Sequence, residues 1–314
     1  MKANVLIETE ELTQEEWLRY RKQGIGGSDV ASLIGISKWK SELEIWLDKT
    51  NQTNDLVQKT EPNEAMQWGT IMEPIIRNHF TEVTGKPVIE VKAILQHPEY
   101  PFMLADVDGV TVDDNGNPAI LEIKTASEFK RSEWEAGVPA YYQTQVQHYL
   151  CVTGIQKAYV AVLIGGNSFR ILEVEADTEL QTMLIAVEQN FWNKVQNMIR
   201  PEMDGSDAAK ELLDKLYLGG IADEIILPEE AIEYIDLYIE ACAEEDNAKA
   251  KKQEASNHLK EFMKDYDKAS CIGHTVSWKA VNSERLDTKA LKEQEPELYQ
   301  KYLKVTTSRR FTVK

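Results

Sequence analysis

The chain has 314 residues, 42% of them apolar, and 53 Asp and Glu against 35 Lys and Arg give a formal charge of −18. That length suits one large or two modest domains, no apolar run of about 18 residues exists to span a membrane, and three scattered cysteines cannot build a disulfide framework or a four-thiolate cluster. The charge excludes a protein that coats nucleic acid with a basic exterior, although a confined basic channel remains open. The balance is uneven: residues 249–314 hold 15 basic and 9 acidic side chains, leaving 20 and 44 in residues 1–248. The N-terminus lacks the basic and then apolar order of a secretion signal, so a reducing cytoplasm is expected.

In chain order, a short acidic lead precedes a helix over 13–23, where Thr13 and Glu16 have capping-box spacing. Gly24, Gly26 and Gly27 stop it, Ser28 and Asp29 offer caps for a second helix to residue 34, and 41–49 reads as a third. Residues 51–63 form a polar loop, and 64–84 has a helical apolar period ended by Gly85. Strands follow at 88–95, 102–112 and 119–125, the last two joined by Asn115-Gly116, a hairpin signal. A helix over 139–153, strands 157–163 and 169–175, and an amphipathic helix over 179–198 complete an α/β core ending near residue 204. Residues 205–314 read as an extension: a long helix over about 228–268, then strands at 274–281 and 309–314 flanking a helix at 288–304.

The chemistry concentrates in the hairpin. Alternation on a strand places Glu122 and Lys124 on one face while Leu121 and Ile123 enter the core. Antiparallel pairing brings Asp108 beside Glu122. Two carboxylates and an ammonium on one patch suit a divalent metal site: Mg²⁺ takes one or two carboxylates, and here Asp108, Glu122 and the backbone carbonyl of Ile123 leave positions open for a scissile phosphate. Coordination lowers the pKa of water and offsets phosphodiester charge. Lys124 can assist, since desolvation lowers a lysine pKa. His148 reads as a surface or lightly packed histidine.

The order Asp108-Gly109, then Glu122-Ile123-Lys124, then Gln145-Val146-Gln147-His148-Tyr149 resembles the PD-(D/E)XK nucleases. Within them it resembles the viral recombinase exonuclease family YqaJ, related to phage lambda exonuclease and the RecB nuclease domain. Further matching segments are Trp17-Leu18-Arg19-Tyr20-Arg21 with Ile25 through Val30, and Trp68-Gly69 with Glu73. Val107 stands where the pattern has proline, and Asp106, Asp113 and Asp114 lie near enough to compete for the role of first acid. Asp108 is preferred because Gly109 follows it.

The resemblance implies an α/β (α+β) restriction-endonuclease-like core, a mixed sheet flanked by helices, over residues 1–204. It carries over Asp108, Glu122 and Lys124 as a catalytic triad, with Glu73 as a further metal or water ligand. Gln145 would contact the active site or the cut strand, and Tyr149 would pack behind it. Arg21 and Ser28 would bind a terminal 5′ phosphate, which suits a guanidinium fork and a helix start. The implied activity is Mg²⁺-dependent digestion of one strand of linear duplex DNA from its 5′ end, with Mn²⁺ able to substitute. The 3′ overhang would pass to a RecT-type annealing protein in the cytoplasm of a phage-bearing bacterium. A homo-oligomer, with a ring trimer among the options, is implied too. No phosphate-loop motif suggests ATP use, and no iron–sulfur cluster is expected. A nicking or structure-specific endonuclease of the same fold, and a non-catalytic binding homologue, stay open.

Overall fold

The structure, a computed structural model, describes residues 2–52, 64–217, 219, 224–305 and 309–313, so most of the loop expected at 51–63 lies outside the described residues. The chain divides into two units, Met1–Tyr217 and Leu218–Lys314.

In the first unit, strand β1 (Asn4–Glu8) occupies the acidic lead, where no strand is expected from the sequence. Helix α1 (Gln14–Arg21) starts with the expected capping box, the Thr13 hydroxyl accepting from Glu16 N–H and the Glu16 carboxylate accepting from Thr13 N–H. Strand β2 (Ile25–Gly26) runs straight into helix α2 (Gly27–Leu33). The cap of α2 is Gly26 rather than Ser28 or Asp29. Asp29 instead sits inside the first turn and reaches back to accept the Gly26 N–H at 3.1 Å. Helix α3 (Glu42–Lys49) is capped by Ser41, and helix α4 (Glu64–Thr84) continues through Pro74.

The sequence expects one strand over 102–112. The chain instead makes β4 (Met103–Ala105) and β5 (Gly109–Val112) in different sheets, with 106–108 between them. The cause is a side chain: Asp108 Oδ2 accepts the Ile123 N–H at 2.7 Å, taking over from a backbone acceptor, so the hairpin ladder ends at Gly109 opposite Leu121. One sheet has the order β1-β3-β4-β2, where β3 is Ala93–Gln96. The other runs β5-β6-β7-β8, with β6 Pro118–Ala126, β7 Lys157–Ile164 and β8 Ser168–Glu175. It is mixed: β6 pairs parallel with β7, and the outer pairs are antiparallel.

A parallel pair needs a crossover and cover on both faces. Helix α5 (Ala140–Thr153), ended by Gly154 in the left-handed region (φ 68°), provides the crossover. On one face of β6 and β7, Leu121, Ile123, Tyr159 and Ala161 pack with Ile76 and Phe80 of α4. On the other, Ile120, Val160 and Val162 join Val146 and Leu150 of α5 and Leu184 and Phe191 of helix α6 (Thr178–Gln196). Glu122 and Lys124 share that second face, so they emerge beneath α5. Helix α7 (Asp207–Leu216) buries Ala208, Ala209 and Leu212, which carries the first unit past the boundary expected at 204.

The second unit holds helix α8 (Ala231–Met263), with hairpin β9 (Lys268–Cys271) and β10 (His274–Ser277), then α9 (Thr288–Gln294) and α10 (Pro296–Tyr302). The strand pair lies earlier than expected, and the helix expected over 288–304 is split by Pro296, which cannot donate a helical hydrogen bond. Residues 309–313 are not a strand. Among the described residues no helix is long and apolar enough to cross a membrane.

Candidate active site

The end of β6 brings together what the sequence separates. Glu122 is only 2% exposed, and its Oε1 accepts from Lys124 Nζ at 2.5 Å and from Gln145 Nε2 at 2.9 Å. Its Oε2 is buried with no hydrogen-bond partner among the described residues. Gln145 also donates to the Tyr149 hydroxyl at 3.0 Å, so one face of α5 locks onto one face of β6. The charge distribution is costly. Burial and the neighbouring Asp108 push the Glu122 carboxyl up to about 8. Burial also raises Asp108, against the pull of Lys124 and of the Ile123 N–H. Lys124 departs from expectation: burial by itself lowers it, but Glu122 and Asp108 outweigh burial and its ammonium is held above the ordinary range.

The first acids divide their work. Asp106 Oδ2 accepts from Trp17 Nε1 at 3.0 Å, tying α1 to the end of β4, while Asp108 faces Ile123 and Lys124. Glu73 on α4 is bonded to Arg77 one turn on. Burial and the charge of Asp108 raise its carboxyl.

Arg21 and Ser28 are together as expected, Arg21 Nη2 donating to Ser28 Oγ at 2.9 Å. The guanidinium lies 4.7 Å from the Trp17 ring centroid. With Gly26, Gly27, Asp106 and Tyr149 it lines a small cavity. Gly27 is needed for closeness: a Cβ there would come within 2.5 Å of the Tyr149 ring and 3.0 Å of Gln145. Gly27→Val is therefore expected to overpack this contact and cost about 1–3 kcal/mol in urea denaturation. A stability equal to wild type would show that the close approach is not needed.

The sequence reading misses three supports. Asp29 pairs with Lys49 Nζ at 2.8 Å beneath the glycine turn, both side chains nearly covered, and this ammonium with Arg21 holds the Asp29 carboxyl below its usual range despite burial. Tyr142 lies beneath Lys124, 5.0 Å from its ammonium. His148, expected near the surface, is fully buried between Glu188 (2.9 Å) and the Leu104 carbonyl (2.8 Å). A third-turn-position Asp after Gly26 is a local signal for the first. The other two depend on long-range contacts.

Residues 16–156 match the family described as the YqaJ-like viral recombinase domain. An uncharacterized protein YqaJ of Bacillus subtilis (strain 168) is 42% identical over 318 residues, covering 100% of this chain and 98% of that one. The chain belongs to the YqaJ family. The family match runs from within α1 through α5 and contains every residue of the site described above except Glu188. More distantly, Protein D345L of African swine fever virus (Badajoz 1971 Vero-adapted) is 26% identical over 163 residues, covering 44% of this chain and 45% of that protein. Among solved structures, an alkaline exonuclease (LHK-Exo) from Laribacter hongkongensis is 23% identical, with 65% of this chain and 100% of that chain covered and a TM-score of 0.48.

The donor chemistry fits a divalent cation. Among the described residues no three His, Cys, Asp or Glu side chains form a ready cage. Yet burial raises both carboxyls, Asp108 adds to the rise at Glu122, and among the described residues Glu122 Oε2 has no hydrogen-bond donor. A hard cation that takes two carboxylates, a carbonyl and waters answers both features.

Proposed function

We propose that this YqaJ family member is a metal-dependent deoxyribonuclease that digests one strand of linear duplex DNA from its 5′ end. The observation that carries the reading is the part-buried Asp108 beside the buried Glu122, with Lys124 next to Glu122 on β6 and Gln145 reaching Glu122 from α5. Asp108, Glu122 and the Ile123 carbonyl would hold Mg²⁺ or Mn²⁺, with Glu73 available on α4. When bound, the cation supplies Lewis-acid stabilisation of the phosphodiester oxygens. Lys124, protonated between two carboxylates, donates to a non-bridging phosphate oxygen as charge builds in the transition state. Gln145 fixes the orientation of Glu122. Contacts continue from Gln145 through Tyr149 and Gly27 to Arg21 and Ser28, so a terminal phosphate held there would set the distance from the strand end to the cut bond. A RecT-type annealing partner and a homo-oligomer belong to the same reading.

The deciding experiment is digestion of linear duplex labelled at its 5′ or 3′ ends with Mg²⁺. Release from the 5′ end supports the reading. Nicking of closed circular DNA overturns the exonuclease assignment. Arg21→Ala is expected to reduce the preference for 5′-phosphorylated over 5′-hydroxyl ends by about 10-fold or more, the loss of a charge-assisted contact. An unchanged ratio removes Arg21 from the phosphate site.

A further inference from the structure

Next to Lys124, aromatic rings and lysines alternate. The Lys124 ammonium lies 5.0 Å from the Tyr142 centroid, and Tyr142 lies 5.9 Å from Trp39. Lys130 Nζ sits 5.5 Å over Trp39, and Lys38 Nζ 5.1 Å over Tyr141. Tyr141 meets Trp39 edge-on at 5.0 Å. Beneath them Trp134, 1% exposed, packs 5.6 Å from Tyr142 and anchors the group in the core. Trp39 itself is 47% exposed.

A tryptophan serving only as packing would be covered by the rings it touches, and this one is left open above a rigid base. Its cations are also out of keeping with their surroundings, since residues 1–217 contain 34 acidic and 20 basic side chains. Lys38 shares Glu133 with the Tyr141 hydroxyl. Lys130 makes no ion pair among the described residues and rests on the Trp39 ring instead. An ammonium on an exposed π-face is displaced by a better stacking partner at small cost. A nucleobase is such a partner, and its phosphates give the displaced lysine a counter-charge.

We propose that Trp39 is a stacking platform for one base of the nucleic-acid strand that enters the Asp108–Glu122–Lys124 centre, with Lys130 and Lys38 meeting the adjoining phosphates. The proposal rests on the nuclease reading above. It places the reacting centre within one contact path: Arg21 and Ser28 at one end, Trp39 at the other, and Lys124 between. Stacking is tolerant of sequence because every base has a π-face, so the platform adds affinity without base preference.

The test is an abasic scan. A short labelled single strand is bound in chelator, which keeps it uncut, with one abasic site moved along its length, using wild type, Trp39→Ala, Trp39→Phe and Lys130→Ala. Wild type is expected to lose about 5- to 100-fold in affinity at one position. Trp39→Ala should lose a similar factor on the intact strand and show no further loss at that position, because ring and base have one interaction to lose. Trp39→Phe should retain most of the affinity. Lys130→Ala should lower the slope of log affinity against log salt by about 0.7. The platform falls if Trp39→Ala binds the intact strand like wild type, or if its loss adds to the abasic loss at every position. If wild type neither binds nor cuts DNA, the nuclease reading fails and takes the platform with it. If wild type cuts and Trp39 is silent, the platform alone fails.

Discussion

Replacing Lys124 by alanine is expected to lower hydrolysis of linear duplex DNA by about 10²–10³-fold, the usual cost of removing one preorganised donor from a developing anion. Binding of the same duplex in chelator should fall by less than about 10-fold, because one phosphate contact is a small share of such affinity. The split between rate and binding separates a chemical role from a docking role. Retention of more than a tenth of the wild-type rate would show that the centre lies elsewhere. Glu122→Gln sharpens the test, since it should also abolish cleavage but raise the stability of the metal-free protein. The folded carboxyl is raised from 4.5 to about 8, so wild type loses stability as pH climbs through that window. Glutamine is isosteric and carries no charge. At pH 9 the variant should be more stable by roughly 2–4 kcal/mol, and at pH 4 the difference should vanish. Denaturation in chelator at both values checks it, and a variant no more stable than wild type at pH 9 would mean that Glu122 is not strained by its neighbours.

The same strain explains which parts of the molecule were legible beforehand. The hairpin with Asn115-Gly116, the alternation that puts Glu122 and Lys124 on one face, and the Thr13–Glu16 cap are local in sequence, and local chemistry decides them. The break between β4 and β5 is not local. It follows from a carboxylate at 108 accepting from a strand 15 residues away, an arrangement no strand propensity encodes. The sign of the Lys124 shift was hidden for a related reason: desolvation is readable from an apolar strand, whereas the opposing field of Asp108 and Glu122 exists only once the hairpin closes. Trp39, isolated in a polar stretch, carries no signal of the rings it joins, which come from residues 134–142.

His148 is a fully buried polar group, and its replacement should be among the most destabilising changes in the first unit. Both ring nitrogens are occupied, Nδ1 by Glu188 on α6 and Nε2 by the Leu104 carbonyl on β4, and both ionisable side chains are fully buried. Burial by itself lowers the imidazole pKa, but Glu188, the Leu104 carbonyl and the more distant Asp29 outweigh it, so the folded value lies above 6.5. A raised histidine stabilises the fold fully below its unfolded pKa, and that stability is lost as pH rises through the folded pKa. His148→Ala is expected to cost about 3–5 kcal/mol at pH 6, since one partner of a buried pair is left behind. The cost should be smaller at high pH than at pH 6, because the charged form is given up as pH rises through the folded pKa. Urea denaturation at pH 6 and at high pH provides the check, and a pH-independent cost would mean that only packing was lost. The consequence for the site follows from position. α5 carries Gln145 and Tyr149 on the turns beside His148, and β4 leads directly to Asp106 and Asp108. The clamp therefore sets the distance between the glutamine that orients Glu122 and the segment that bears the other acid, so the variant should also lose turnover at pH 6 under conditions where it remains folded.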